Sequence, residues 1–93
     1  MKIRYSPQAR DGLRDIFFYL NDRSPTGAEN VMRAIHAGIQ FLAENPMASQ
    51  ETSLAEIRVK ILRRYNFKIF YRIEGDTVEL IHIRHAARRP FAS

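Results

Sequence analysis

The residues best suited to chemistry lie near the end of the chain: Arg84, His85, Arg88 and Arg89, with Arg63, Arg64 and Arg72 as candidates to join them. Guanidinium groups clamp phosphate through paired hydrogen bonds and stabilise charge that develops on a phosphorane. A histidine beside them can act as general acid or base. A metal-free RNA-cleaving centre needs such a set. The same residues would equally make a solvated basic rim that docks an acidic partner, and composition leaves both readings standing.

The other histidines add little. His82 and His85 are three apart on an expected strand, so they point to opposite faces and share no metal unless the strand ends between them. His36 falls on an expected helix, far along the chain. With no cysteine and no carboxylate placed beside the histidines, no metal site is expected. There is no Gly-rich phosphate loop among only four glycines, and no GxSxG elbow, so a nucleotide-binding enzyme is disfavoured and no cofactor is expected. Phe70 and Tyr71 adjoin Arg72, and aromatics between bases can stack on nucleobases. The period-two pattern around Tyr71 explains it more simply as a sheet-face residue.

Charge narrows the class. Residues 1–55 carry six bases and six acids; residues 56–93 carry nine bases against four acids, which accounts for the whole net charge of +5. A field so one-sided implies a polyanion or an acidic protein partner, where an even spread would speak for solubility alone. No run approaches the ~18 apolar residues of a membrane span, and the N-terminus lacks the apolar stretch of a signal peptide. A cytoplasmic protein of one domain, residues 1–93, is expected.

The elements that must position these residues follow from periodicity. Residues 2–5 alternate as a short strand. Ser6-Pro7 reads as an N-cap with proline at the first helical position, where no N–H is needed. Ala9, Leu13, Ile16, Phe17 and Leu20 then form one stripe, ending near Asn21–Arg23. Ser24-Pro25 repeats the start signal, and Ala28, Val31, Met32, Ile35, Ile39 and Leu42 make a second stripe that stops at Asn45-Pro46. So short a joint folds the two helices back on each other. Residues 47–55 read as loop. Thereafter the period is two: 57–62, then 65–73, a turn at Glu74-Gly75-Asp76, and 77–84. That last strand reads as apolar on both faces, Val78 and Leu80 on one and Ile81 and Ile83 on the other, which suggests a central position or a cover from outside the domain. The whole predicts an α+β fold, a helical hairpin packed on a small, mostly antiparallel sheet in the order β-α-α-β-β-β.

Four segments resemble the RelE/ParE superfamily of type II toxins, on the ParE-like side. They are Tyr5-Ser6-Pro7-Gln8-Ala9 leading to Leu13-Arg14-Asp15-Ile16; Ile39 to Pro46; Phe67-Lys68-Ile69-Phe70-Tyr71-Arg72-Ile73 with the following Gly75 to Glu79; and Ile81 to Pro90, with its His-x-x-Arg-Arg-Pro ending at His85. The resemblance implies the same β-α-α-β-β-β order. It also implies a cognate antitoxin, ParD-like with a ribbon-helix-helix half and a disordered half that wraps the toxin, in a hetero-oligomer. An acidic segment that folds on binding would suit the excess of base. RelE-like relatives cut mRNA on the ribosome with basic residues and a late tyrosine or histidine; ParE-like ones impair DNA gyrase. The long helical hairpin, and Phe91 in place of a late tyrosine, favour the gyrase branch. His85, Arg84 and Arg88 keep the ribonuclease branch open. Under either branch Arg72, Arg84, His85, Arg88 and Arg89 are the expected target-binding residues.

Overall fold

In the computed structural model, which describes residues 1–86, the chain folds as β1 (Lys2–Tyr5), α1 (Pro7–Arg23), α2 (Pro25–Glu44), β2 (Gln50–Glu51), β3 (Arg58–Leu62), β4 (Phe67–Glu74) and β5 (Thr77–His85). The α+β hairpin-on-sheet architecture is the expected one, with one addition: the loop after α2 contributes the two-residue strand β2. The sheet order is β1-β5-β4-β3-β2. β1 runs parallel to β5 and every other pair is antiparallel. Arg88 and Arg89, with the rest of the closing motif after Ala86, lie outside the described residues.

Both helix starts are capped as the Ser-Pro pairs predict. The Ser6 hydroxyl accepts from the Ala9 N–H at 3.0 Å and the Ser24 hydroxyl from the Gly27 N–H at 3.0 Å. Ser24 also closes α1, its own N–H donating to the Leu20 carbonyl at 2.8 Å. One residue therefore ends one helix and begins the next, so the hairpin has no linker to flex. Ala9 and Ile16 of α1, with Val31, Ile35, Ile39 and Leu42 of α2, meet Phe67, Ile69, Tyr71, Val78, Leu80 and Ile83 of the sheet in one core. Tyr71 is fully buried, and its hydroxyl donates to the Pro46 carbonyl at 2.6 Å and contacts the Ser49 hydroxyl. It is a core residue that pins the loop after α2, out of reach of any base.

The last strand corrects the expectation of two apolar faces. Tyr71 pairs with Leu80 but Phe70 pairs with His82, which leaves Ile81 as an extra residue on β5. A bulge of this kind reverses the side-chain alternation beyond it. Val78, Leu80 and Ile83 consequently all point to the helices and are buried, while Ile81 is only half-buried. The outer face of β5 presents Glu79, His82 and Arg84 instead. The sheet pairs of β3 place Lys60 and Leu62 beside Ile69 and Phe67, on the helix side. Lys60 tolerates this because its stem lies along the core while its ammonium sits 4.6 Å from the Phe41 ring centroid.

The bulge lies where β1 gives way to α1. The Ser6 N–H donates to the Leu80 carbonyl and the Ser6 hydroxyl to the Ile81 carbonyl, both at 2.9 Å. One turn later Gly12 lies so close to β5 that a β-carbon there would stand 2.6 Å from the Ile83 oxygen. Gly38 is also crowded, but by the Leu62 Cδ2 at 2.7 Å, the end of a side chain that can turn away. Alanine gains roughly 1 kcal/mol of helix propensity over glycine at either site. Gly38→Ala is expected to be near neutral in urea unfolding. Gly12→Ala should lose about 1–3 kcal/mol, since a backbone carbonyl cannot rotate aside; equal effects would contradict the close approach of α1 to β5.

Candidate functional site

Charge is sorted to opposite ends of the sheet. At the β4–β5 turn the cations are neutralised. Lys2 pairs with Asp76 at 3.7 Å, Arg4 with Glu74 and Glu79 at 3.5 and 3.1 Å, and Arg72 with Glu74 and Glu79 at 3.1 and 2.8 Å. The register explains the pairing: Arg4, Glu79 and Arg72 lie abreast on β1, β5 and β4. Burial alone would raise the Glu79 carboxyl pKa, but hydrogen bonds and charge from Arg4 and Arg72 outweigh it and hold the pKa below the ordinary carboxylate value. Arg72, a candidate from the sequence, thus sits in an ion-pair network. Four residues of strand, about 13 Å, separate it from Lys68, the residue that faces Arg84.

The other end holds Arg84 and His85 with the β3–β4 turn. As consecutive residues of β5, these two project to opposite faces. Arg84 is buried on the outer face, with Lys68 opposite it and its guanidinium 5.4 Å from the Phe70 ring centroid; its Nη1 donates to the His85 carbonyl at 3.3 Å. His82 is on that same face, stacked on Phe70 at 6.4 Å. Burial, and then the charge of Arg84, lower the His82 pKa, so its imidazole is neutral at pH 7. His85 points to the helix side, edge-on to Phe67 at 5.3 Å. As expected, His82 and His85 face apart. His36 is exposed on α2, remote from both. Among the described residues no cluster of three potential metal ligands occurs.

Two depressions flank this end. The first, about 330 Å³, opens between the helical hairpin and the sheet; Tyr19, Tyr65, Phe67 and His85 line it together with aliphatic side chains of both helices. Arg23 lies over the Tyr19 ring at 3.7 Å and Arg64 over the Tyr65 ring at 5.2 Å. The sequence reading overlooked Tyr19 and Arg23, although their four-residue spacing on a helix brings such side chains together. The second depression, about 570 Å³, follows the edge of β5 that β1 leaves open; Asp11, Asp15, His82, Arg84 and His85 reach it. No helix among the described residues is long and apolar enough to cross a membrane.

Residues 3–90 match the model of the ParE toxins of type II toxin–antitoxin systems (parDE). The chain belongs to the ParE toxin family. In fold it is similar to a chain of the chromosomal ParDE toxin–antitoxin system of P. aeruginosa, with TM-score 0.80 and 19% identity over 91% of this chain and 95% of that one. It is similar also to a chain of the RelBE2 toxin–antitoxin complex of Mycobacterium tuberculosis, with TM-score 0.59 and 20% identity over 90% and 95% of the two chains. The isolated E. coli RelE toxin gives TM-score 0.60 and 15% identity over 98% and 89%. No curated protein matches the chain. The RelE/ParE resemblance is therefore borne out, and this ParE-family chain is a toxin of the type II class.

The Glu79 network makes a pH-dependent contribution. Its carboxyl pKa is lower folded than unfolded, so this stabilisation is present above the ordinary value of about 4.3 and is lost as pH falls through the folded pKa. Glu79→Gln should be less stable than wild type at pH 7, and the gap should narrow on acidification to pH ~3. Urea unfolding at both pH values measures it; a gap independent of pH would rule out the ion-pair origin.

Proposed function

We propose that this ParE-family toxin acts by binding DNA gyrase in the cytoplasm, and that a cognate antitoxin, ParD-like with a ribbon-helix-helix half, neutralises it in a hetero-oligomer. The observation that carries this reading is the geometry of β5. Metal-free RNA cleavage asks for a histidine and guanidinium groups converging on one phosphate. Arg84 and His85 instead project to opposite faces, and Arg72 is held by Glu74 and Glu79 near the far end of the strand. A surface that binds and obstructs a target needs no such convergence. The family's description as toxins of parDE systems supports the antitoxin partner, as does the ParDE system of P. aeruginosa among the similar folds.

Arg84, His85, Arg88 and Arg89 remain the proposed target-binding residues, with no catalytic set implied; Arg72, also expected from the sequence, is engaged by Glu74 and Glu79. The bulge at Ile81 removes one earlier reason for an antitoxin: no second apolar face of β5 needs covering. Basic charge and family membership carry that partner instead. The alternative, a ribosome-dependent mRNA endonuclease with His85, Arg84 and Arg88 as catalytic groups, has one observation in its favour. His82, Arg84 and His85 all reach the depression along the open edge of β5, and His82 is neutral and able to accept a proton.

Induction of the chain in cells without its antitoxin separates the two. Gyrase binding predicts that growth stops with mRNA intact and with gyrase–DNA breaks accumulating. It predicts that His85→Ala retains nearly full toxicity, whereas truncation after Ala86 abolishes it. Cleaved mRNA, with toxicity lost in both His85→Ala and Arg84→Ala variants that still fold, would establish the endonuclease instead.

A further inference from the structure

The β3–β4 hairpin, whose turn forms one end of the molecule, carries a charge excess that no acid of its own strands offsets between residues 57 and 73. Residues 57–73 carry six cations and no carboxylate. Arg58 and Arg72 find acids elsewhere, in Glu51 and in Glu74 and Glu79. Among the described residues, Arg63, Arg64 and Lys68 meet no carboxylate within ion-pair distance, and neither does Arg23 at the end of α1. Lys68 moreover lies directly across from Arg84. The N-terminus of α2, with no acid in its first turn, follows Arg23 at this same end. The positive field thus runs from the aromatic cleft on the helix face, across the exposed turn at Arg63 and Arg64, to Lys68 on the outer face.

We infer that this end binds a single-stranded nucleic acid. The arginines would take successive phosphates, and the cleft between Tyr19, Tyr65 and Phe67 would take an unstacked base. The cations that rim the cleft are guanidiniums lying over two of the rings that line it. Flat arginine beside an aromatic face suits the phosphate and base of a nucleotide. An acidic peptide could use the same charge, and the competition arm of the test separates the two. The surface overlaps the proposed target-binding residues at His85, but nucleic-acid binding is read without gyrase, so its failure would leave the gyrase reading untouched.

The test is fluorescence anisotropy of a labelled twelve-residue oligothymidylate against the purified full chain over a salt series, with no gyrase present. Three phosphate contacts predict a slope of log affinity against log salt of about −2. Arg63→Glu with Arg64→Glu should weaken binding by at least about tenfold and flatten that slope. Lys2→Glu with Arg4→Glu, the same charge change at the neutralised end, should alter affinity by less than about threefold. Tyr19→Ala, at an exposed ring, should weaken binding roughly fivefold or more with the slope unchanged. Thermal melts confirm that each variant is folded. Equal losses from the two charge reversals would reduce the effect to net charge and overturn the site. So would a polyglutamate of equal length that displaces the oligonucleotide at equal concentration, since the ligand would then be an acidic peptide, and so would the absence of measurable binding at low salt.

Discussion

The backbone of α1 at Gly12 lies against the carbonyl oxygen of Ile83 with no room for a β-carbon between them, and the course of β5 beyond Leu80 follows from that contact. β1 can edge β5 only as far as Tyr5, where the Ser6-Pro7 cap turns the chain into a helix. From there α1, rather than a strand, runs along the edge. Ser6 takes the carbonyls of Leu80 and Ile81, and the extra residue at Ile81 absorbs the change. Because the bulge reverses alternation, it decides which side chains face the helices: Ile83 and His85 do, while His82 and Arg84 do not. A regular strand would exchange the two sets, bury His82 and Arg84 under α1, and leave Ile83 outside. The chemistry available at this end is set by that one backbone accommodation.

Much of the fold was legible. The two Ser-Pro starts, the helical stripes and the period-two runs locate both helices and the four longer strands, because capping and amphipathic burial are local effects written into neighbouring residues. The bulge was not legible, since Val78, Leu80, Ile81 and Ile83 read as a two-faced apolar strand until α1 is laid beside them. Strand β2 was hidden for a related reason. Gln50 and Glu51 have no strand pattern of their own, and Arg58 holds the segment by donating to the Ser49 and Met47 carbonyls at 2.8 and 3.1 Å.

At the end that carries Arg84 and His85, composition located the excess charge but not its partition. Arg72 and Arg84 look alike in sequence, yet one stands beside Glu79 and the other opposite Lys68, and only the register tells them apart. Tyr19 and Arg23 were passed over because a helix stripe accounts for their neighbours. Their role as one wall of a cleft depends on where β4 and the Arg64–Tyr65 turn come to rest. The result is a ParE-family toxin with one electrostatically quiet end and one positive end. His82 and Arg84 share the outer face of β5 while His85 turns to the helix side, and all three border the depression along its open edge.

The most direct measurement is the supercoiling of relaxed plasmid by purified gyrase as the purified toxin is titrated in, run beside mRNA integrity on translating ribosomes at the same toxin concentrations. Action by binding gyrase predicts a dose-dependent loss of supercoiling with intact mRNA. Full gyrase activity alongside cut mRNA would contradict it, and would place catalysis at the depression shared by His82, Arg84 and His85.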